Sequence, residues 1–232
     1  MIKKILFIFL SIGVVTSLFA QGKLSEGKVL FGVTYPELSG EMEGVKDMLP
    51  KELTVYFKKE QSRTEMPSSV MGKLITINNT QTGELMMMME LMGNKLAVKQ
   101  TKAELKKQEL AAEQEGLLPV ISVIKLDGTK MIAGYECKKA IVEVKEKGEI
   151  FRSECFYTDK LPKMKDQNDR LFKDLDGFIM EYSQKQSGIK MTITAKVVIK
   201  QKVADQLFTI SPDYKLVTQK ELEKMVSGLS GK

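Results

Sequence analysis

Two cysteines, Cys137 and Cys155, offer the most reactive side chains in this sequence, and they lie on either side of Lys147-Gly148. A Lys-Gly pair between two alternating runs, Cys137–Val144 and Glu149–Thr158, is a strong hairpin signal, so the thiols fall on neighbouring arms. A two-residue turn would set Cys137 opposite Thr158 and put Cys155 on the other face. A turn of different length or a bulge would restore the parity. Two readings stand: a Cys137–Cys155 disulfide, natural in an oxidising compartment, or two buried reduced thiols. A redox pair is disfavoured, because the spacing is not C-x-x-C and no histidine is present to activate a thiolate.

The other residue types that could do chemistry point to bland roles. Met86–Met89 and Met92 carry soft thioether sulfur suited to Cu(I), but strand neighbours point to opposite faces and cannot converge on one ion. Core or cavity lining is the expected use of these methionines. Asp166, Asn168, Asp169, Asp174 and Asp176 suggest a calcium loop until Arg170 is found where the third ligand belongs. Gly22–Lys28 nearly spells a phosphate-binding loop, yet Val29 replaces the required Ser or Thr and no strand precedes it. With no histidine in the chain, Ser-His-Asp and Cys-His machinery are excluded and the commonest metal ligand is missing. The expectation is no enzyme, no metal and no cofactor. An enzyme would need a Lys, Tyr or carboxylate centre that the sequence does not assemble.

The elements that would position these residues are mostly strands. Val29, Phe31, Val33 and Tyr35 alternate, as do Leu53, Val55 and Phe57, then Ile75 and Ile77. Leu85–Met92 does not alternate. Continuous apolarity over that length fits a strand buried on both faces, or one whose second face lies under a helix or a ligand. Val120–Leu126, Asp127-Gly128 and Lys130–Ala133 read as strand, turn and strand. Ile189, Met191, Ile193, Ala195, Val197 and Ile199 form the clearest strand. Thr101 with Glu104, and Thr218 with Glu221, are capping boxes that open two helices. The first, Lys102–Glu115, has only a thin apolar stripe and is expected to be peripheral or lid-like; the second buries Leu222, Met225, Val226 and Leu229. The fold class expected is mainly β (α+β). Its form is a curved antiparallel sheet or unclosed half-barrel of roughly nine to eleven strands, with two or three helices packed on the concave face.

Lys3 and Lys4, an apolar run from Ile5 to Val15, and Ser17-Leu18-Phe19-Ala20 before Gln21 have the order of a secretory signal. Residues 1–20 are therefore read as a signal peptide and 21–232 as one β-rich domain, exported and periplasmic, with an extracellular or outer-membrane-associated location as the alternative; no lipid attachment is expected, because no cysteine follows the cleavage region. Removing Lys3 and Lys4 lowers the formal charge from +6 to +4, spread among interspersed lysines and glutamates. That is weak support for nucleic acid, which is not an expected partner.

Leu126-Asp127-Gly128-Thr129-Lys130, Ile132-Ala133-Gly134-Tyr135-Glu136-Cys137-Lys138-Lys139-Ala140 and Tyr157-Thr158 carry a family resemblance. So do Gly177-Phe178-Ile179-Met180-Glu181, Met191-Thr192-Ile193-Thr194-Ala195 and Phe208…Tyr214. Together they resemble an uncharacterised family of exported bacterial β-rich proteins, itself similar to the LolA/LolB superfamily of periplasmic lipoprotein carriers. The resemblance spans Leu126 to Tyr214. It implies an unclosed antiparallel barrel whose concave apolar face is covered by helices and receives acyl chains. The chain lacks tryptophan and any matching ligand-binding motif, and no functional residue carries over.

The function expected is a periplasmic, non-enzymatic binding or carrier protein for a lipid-like or other apolar ligand, such as a lipoprotein acyl chain. Burial at roughly 25 cal/mol per Å² would hold it in the concavity. The expected lining is Phe31, Val33, Tyr35, Val55, Phe57, Met87, Met89, Met191 and Ile193, with the Lys102–Glu115 helix as lid. The alternative is an envelope structural or protein-interaction module, partnered by an envelope protein. Its concavity would be filled by Leu222, Met225 and Val226.

Overall fold

The computed structural model describes residues 24–38, 40–44, 46–69, 72–91, 93–146, 148–164, 169–186 and 189–230. The segment read as a signal peptide lies outside them. Among these residues, twelve strands build one open sheet from two meanders. The first runs β1 (Glu26–Glu37), β2 (Glu52–Lys58), β3 (Gln61–Ser68), β4 (Gly72–Asn79), β5 (Glu84–Leu91) and β6 (Asn94–Gln100). The second runs β7 (Val120–Ile132), β8 (Tyr135–Glu146), β9 (Glu149–Thr158), β10 (Phe178–Gln186) and β11 (Ile189–Ile199). β11 then pairs antiparallel with β1 and joins the meanders, while the short β12 (Lys215–Leu216) runs parallel along β6. The helices are α1 (Gly40–Glu43), α2 (Lys102–Gln114), α3 (Asp169–Phe172) and α4 (Gln219–Ser230). The expected fold class is the one observed.

Chain length forces the sheet to curve. β6 and β7 are consecutive in sequence, yet ten strand-to-strand steps separate them in the sheet. Laid flat, that gap would be about 48 Å at ~4.8 Å per step. The connection through α2 reaches only about 40 Å with its non-helical residues fully extended. The strands therefore have to curl until α2 can bridge the mouth. Contacts from two parts of the chain meet the middle of α2 and fit this: Gln100 Nε2 of β6 donates to Gln108 Oε1 at 3.0 Å, and Arg170 of α3 lies 3.8 Å from Glu109.

Period-two patterning decides what faces inward. Val29 pairs with Val55, Phe31 with Leu53 and Ala195, and Val33 with Ile193, so these side chains share one face and are buried. The same face continues through Thr64 and Thr76 to Met87 and Val98. On the opposite face of β4–β6, Ile75, Ile77, Met88 and Ala97 pack against Val203 and Phe208 of the chain after β11. Arg63 Nη1 and Lys58 Nζ pin that segment by donating to the carbonyls of Leu207 and Val203, each at 2.9 Å. The methionine run is thus covered on both sides: Met88 lies under Phe208, and Met89 packs with Val217 and Leu222 beside α4. That explains why it fails to alternate.

Two local expectations change. Val120–Ile132 is one strand, because Asp127-Gly128 forms a bulge in place of a turn. The pairing jumps from Leu126 opposite Lys139 to Thr129 opposite Lys138, with Gly128 at φ 108°. The turn comes five residues later, where Ala133 (φ 49°) and Gly134 (φ 83°) supply the two positive φ values of a tight hairpin. Past the bulge, Ile132 joins the cluster of Val29, Phe31 and Val33. Lys130 there spans to Glu181 of β10 at 2.7 Å and lies 4.9 Å over the Phe156 ring. In α4, Leu222 is buried as expected, but Met225 is 42% exposed, because the helix rests on β6 only near its start. The side chains of Val226 and Leu229 are outside those described.

Candidate apolar binding site

Both capping boxes form. Thr101 N and Thr218 N donate to the carboxylates of Glu104 and Glu221 at 2.8 and 2.7 Å, and each threonine hydroxyl accepts the glutamate's own N–H. These hydrogen bonds hold both carboxyls below the usual carboxylate range. The caps fix where α2 and α4 start, and so how much of the inner face each one covers. α2 buries none of its residues. α4 seals only the β5–β6 end, through Leu222.

What covers the middle of the inner face is the connection between β9 and β10, through its described residues 159–164 and 169–177. Leu161 and Leu175 have no exposed surface and Phe172 has 7%. Between this cover and the sheet lies a cavity of about 200 Å³. Its floor is Phe31, Leu53 and Val55 of β1 and β2, with Thr64, Met66, Leu74 and Thr76 of β3 and β4. Tyr182, Gln184, Met191 and Ile193 of β10 and β11 form a wall, and Lys163, Met164, Phe172 and Gly177 form the roof. Gly177 is required where the cover meets the sheet, since a Cβ there would stand 2.5 Å from the Thr158 carbonyl oxygen. Lys163 donates to the Lys173 carbonyl at 2.7 Å, which clips the cover across its own width.

The expected lining residues divide by position. Phe31, Val55, Met191 and Ile193 line the cavity. Val33 and Phe57 share the face but lie in solid core, Phe57 with its ring 6.0 Å from that of Phe178. Tyr35 is half-buried and donates its hydroxyl to the Pro50 carbonyl at 2.7 Å, and burial raises its pKa. Met87 lies opposite Thr76, one strand beyond the cavity floor, and Met89 is packed under Val217 and Leu222. The expected lid, α2, contributes nothing to the lining. It lacks the apolar stripe needed to seat on an apolar face, whereas Leu161, Met164, Phe172 and Leu175 supply one. The signal for that cover is its length. Connections much beyond about 12–15 residues are uncommon unless they carry function or structure.

Cys137 and Cys155 are both free and fully buried, so the disulfide does not form. The hairpin turn is the two-residue form, with Glu146 opposite Glu149, and the register runs unbroken to Ala140 opposite Cys155. Cys137 lies an odd number of residues from Ala140, so the two thiols leave the sheet on opposite faces. Burial pushes the Cys137 thiol up to about 11 and the Cys155 thiol up to about 12, which keeps both protonated and unreactive. Among the described residues, no group of three or more His, Cys, Asp or Glu is placed to hold a metal ion, and no helix is long and apolar enough to cross a membrane.

No family model matches the sequence, and no curated protein matches it. Among solved structures, PNGF-II is similar in fold over 87% of this chain, with a TM-score of 0.51 at 13% identity. A second crystal form gives 88%, 0.51 and 14%. The chain spans about a third of PNGF-II (32% and 33%), and at such identities the likeness is one of fold alone. The Mycobacterium tuberculosis lipoprotein LppX aligns over 78% of this chain and 90% of its own, at 8% identity and a lower TM-score of 0.38.

Proposed function

We propose that this chain is an exported, non-enzymatic binding or carrier protein of the periplasm, distantly related to the LolA/LolB superfamily, that holds the acyl chain of a lipid or lipoprotein. The observation that carries this reading is the cavity between the inner sheet face and the 159–177 cover. Its lining is dominated by Phe, Leu, Val, Met and Ile, and the uncharged Thr64, Thr76, Tyr182 and Gln184 supply most of the polar groups. Such a lining favours a ligand held by burial over one held by charge. The two thiols in the fold are protonated, which removes the strongest nucleophiles from play. The alternative, a filled interaction module, is favoured by one observation. The β5–β6 end of the concavity is already plugged by Val217 and Leu222.

Fluorescence of cis-parinaric acid tests the binding reading. It is expected to rise on mixing with the protein and to be competed away by palmitate. Met191→Trp, which fills the cavity from a half-buried position, is expected to weaken binding at least roughly tenfold. No fluorescence gain with the unmodified protein, or undiminished binding by a folded Met191→Trp variant, overturns the reading.

A further inference from the structure

The inner cavity is not the whole of the concave surface. An open groove of about 730 Å³ lies further along the same face, floored by Val142, Val144 and Phe151 of β8 and β9 and roofed by Leu171 and Phe172. The groove and the inner cavity share two lining residues, Phe172 and Gln184. Phe172 thus stands between them, its ring edge-on to Tyr182 at 5.1 Å and 72°.

We propose that the groove and the cavity are one elongated site for a single-chain amphiphile, whose tail passes Phe172 into the inner cavity and whose head rests at the groove's outer rim. The proposal rests on the binding reading above and extends it to a ligand class. Size supports the extension. The inner cavity of about 200 Å³ falls below the ~300–1,000 Å³ of pockets that enclose a whole ligand, so it seats only one end of a long chain. The groove supplies the remaining length. Polarity supports the direction. Phe172 at the shared boundary is apolar and Gln184 uncharged, the groove floor joins Val142, Val144 and Phe151 to Ser153, and the groove's charged side chains, Glu146, Glu149 and Lys185, lie toward the strand ends. Charges of both signs at the rim suit a zwitterionic head better than a bare anion.

The test is competition of lysophosphatidylcholines, kept below their micelle-forming concentrations, against bound cis-parinaric acid. Palmitoyl lysophosphatidylcholine is expected to compete at least roughly tenfold more strongly than the octanoyl form. Phe172→Trp, which enlarges the partition, is expected to erase that preference. Val144→Lys, on the groove floor and away from the inner cavity, is expected to do the same without altering the partition. Thermal melts confirm that each variant is folded. If parinaric acid binds but the two chain lengths compete equally, or if both variants keep the preference, the elongated site is overturned and the inner cavity stands alone. If parinaric acid does not bind at all, the first reading fails and this one with it.

Discussion

Cys137 and Cys155 illustrate how a single register decides residue chemistry. That hairpin parity decides between a disulfide and two separate thiols was legible in the sequence. What the sequence did not carry was the turn length that settles the choice. With both thiols fully buried and protonated, Ellman's reagent at about pH 8 is expected to label neither cysteine in the native protein and both in denaturant. Rapid native labelling of either would contradict the burial. Glu65 offers a second test at this scale. Its desolvation raises the pKa, but hydrogen bonds and charge from Arg63 and Lys73 outweigh it, so the carboxyl titrates below its usual value. A depressed carboxylate stabilises the fold above its unfolded pKa, and that stability is lost as pH falls through the folded value. Urea unfolding below about pH 4 is expected to show a falling stability that Glu65→Gln flattens. Equal slopes for both proteins would show that the Arg63 pair is not what couples acid to unfolding.

Among the elements, strands were far easier to read than coverings. Val29, Phe31 and Val33 alternate because one face of β1 is buried, and the unbroken apolarity of Leu85–Met89 reports burial on both faces of β5. The cover has no sustained period, because its apolar side chains enter the concavity from a single helical turn, α3, and from the irregular backbone around Leu161 and Leu175. Pattern reading therefore passed over Leu161, Phe172 and Leu175 and assigned the lid to α2. The bulge at Gly128 was hidden for a related reason: Asp-Gly serves turns and bulges alike. The position of α4 yields a sharp contrast. Leu222→Ala is expected to cost about 2–5 kcal/mol, since Leu222 is buried among Leu96, Val98 and Val217. Met225→Ala, one turn on and 42% exposed, is expected to change stability by less than about 0.5 kcal/mol. Chemical denaturation of the two variants checks this, and equal costs would mean that α4 seats differently on β6.

At the scale of the molecule, the open sheet keeps its concave face reachable because its ends are finished without closing. β12 caps the β6 edge, and β7 guards its own with Lys125, Lys130 and the bulge at Gly128. The mouth that α2 must bridge leads to an apolar interior that is only partly filled by the protein's own side chains. The central claim is that a ligand completes that interior. Mass spectrometry of the organic extract from protein purified out of its native cells without detergent tests it most directly. A lipid or acyl-chain amphiphile that stays stoichiometric through gel filtration is the predicted result. An empty extract, with no rise in melting temperature when lipids are added, would contradict the claim and leave the filled interaction module as the better account.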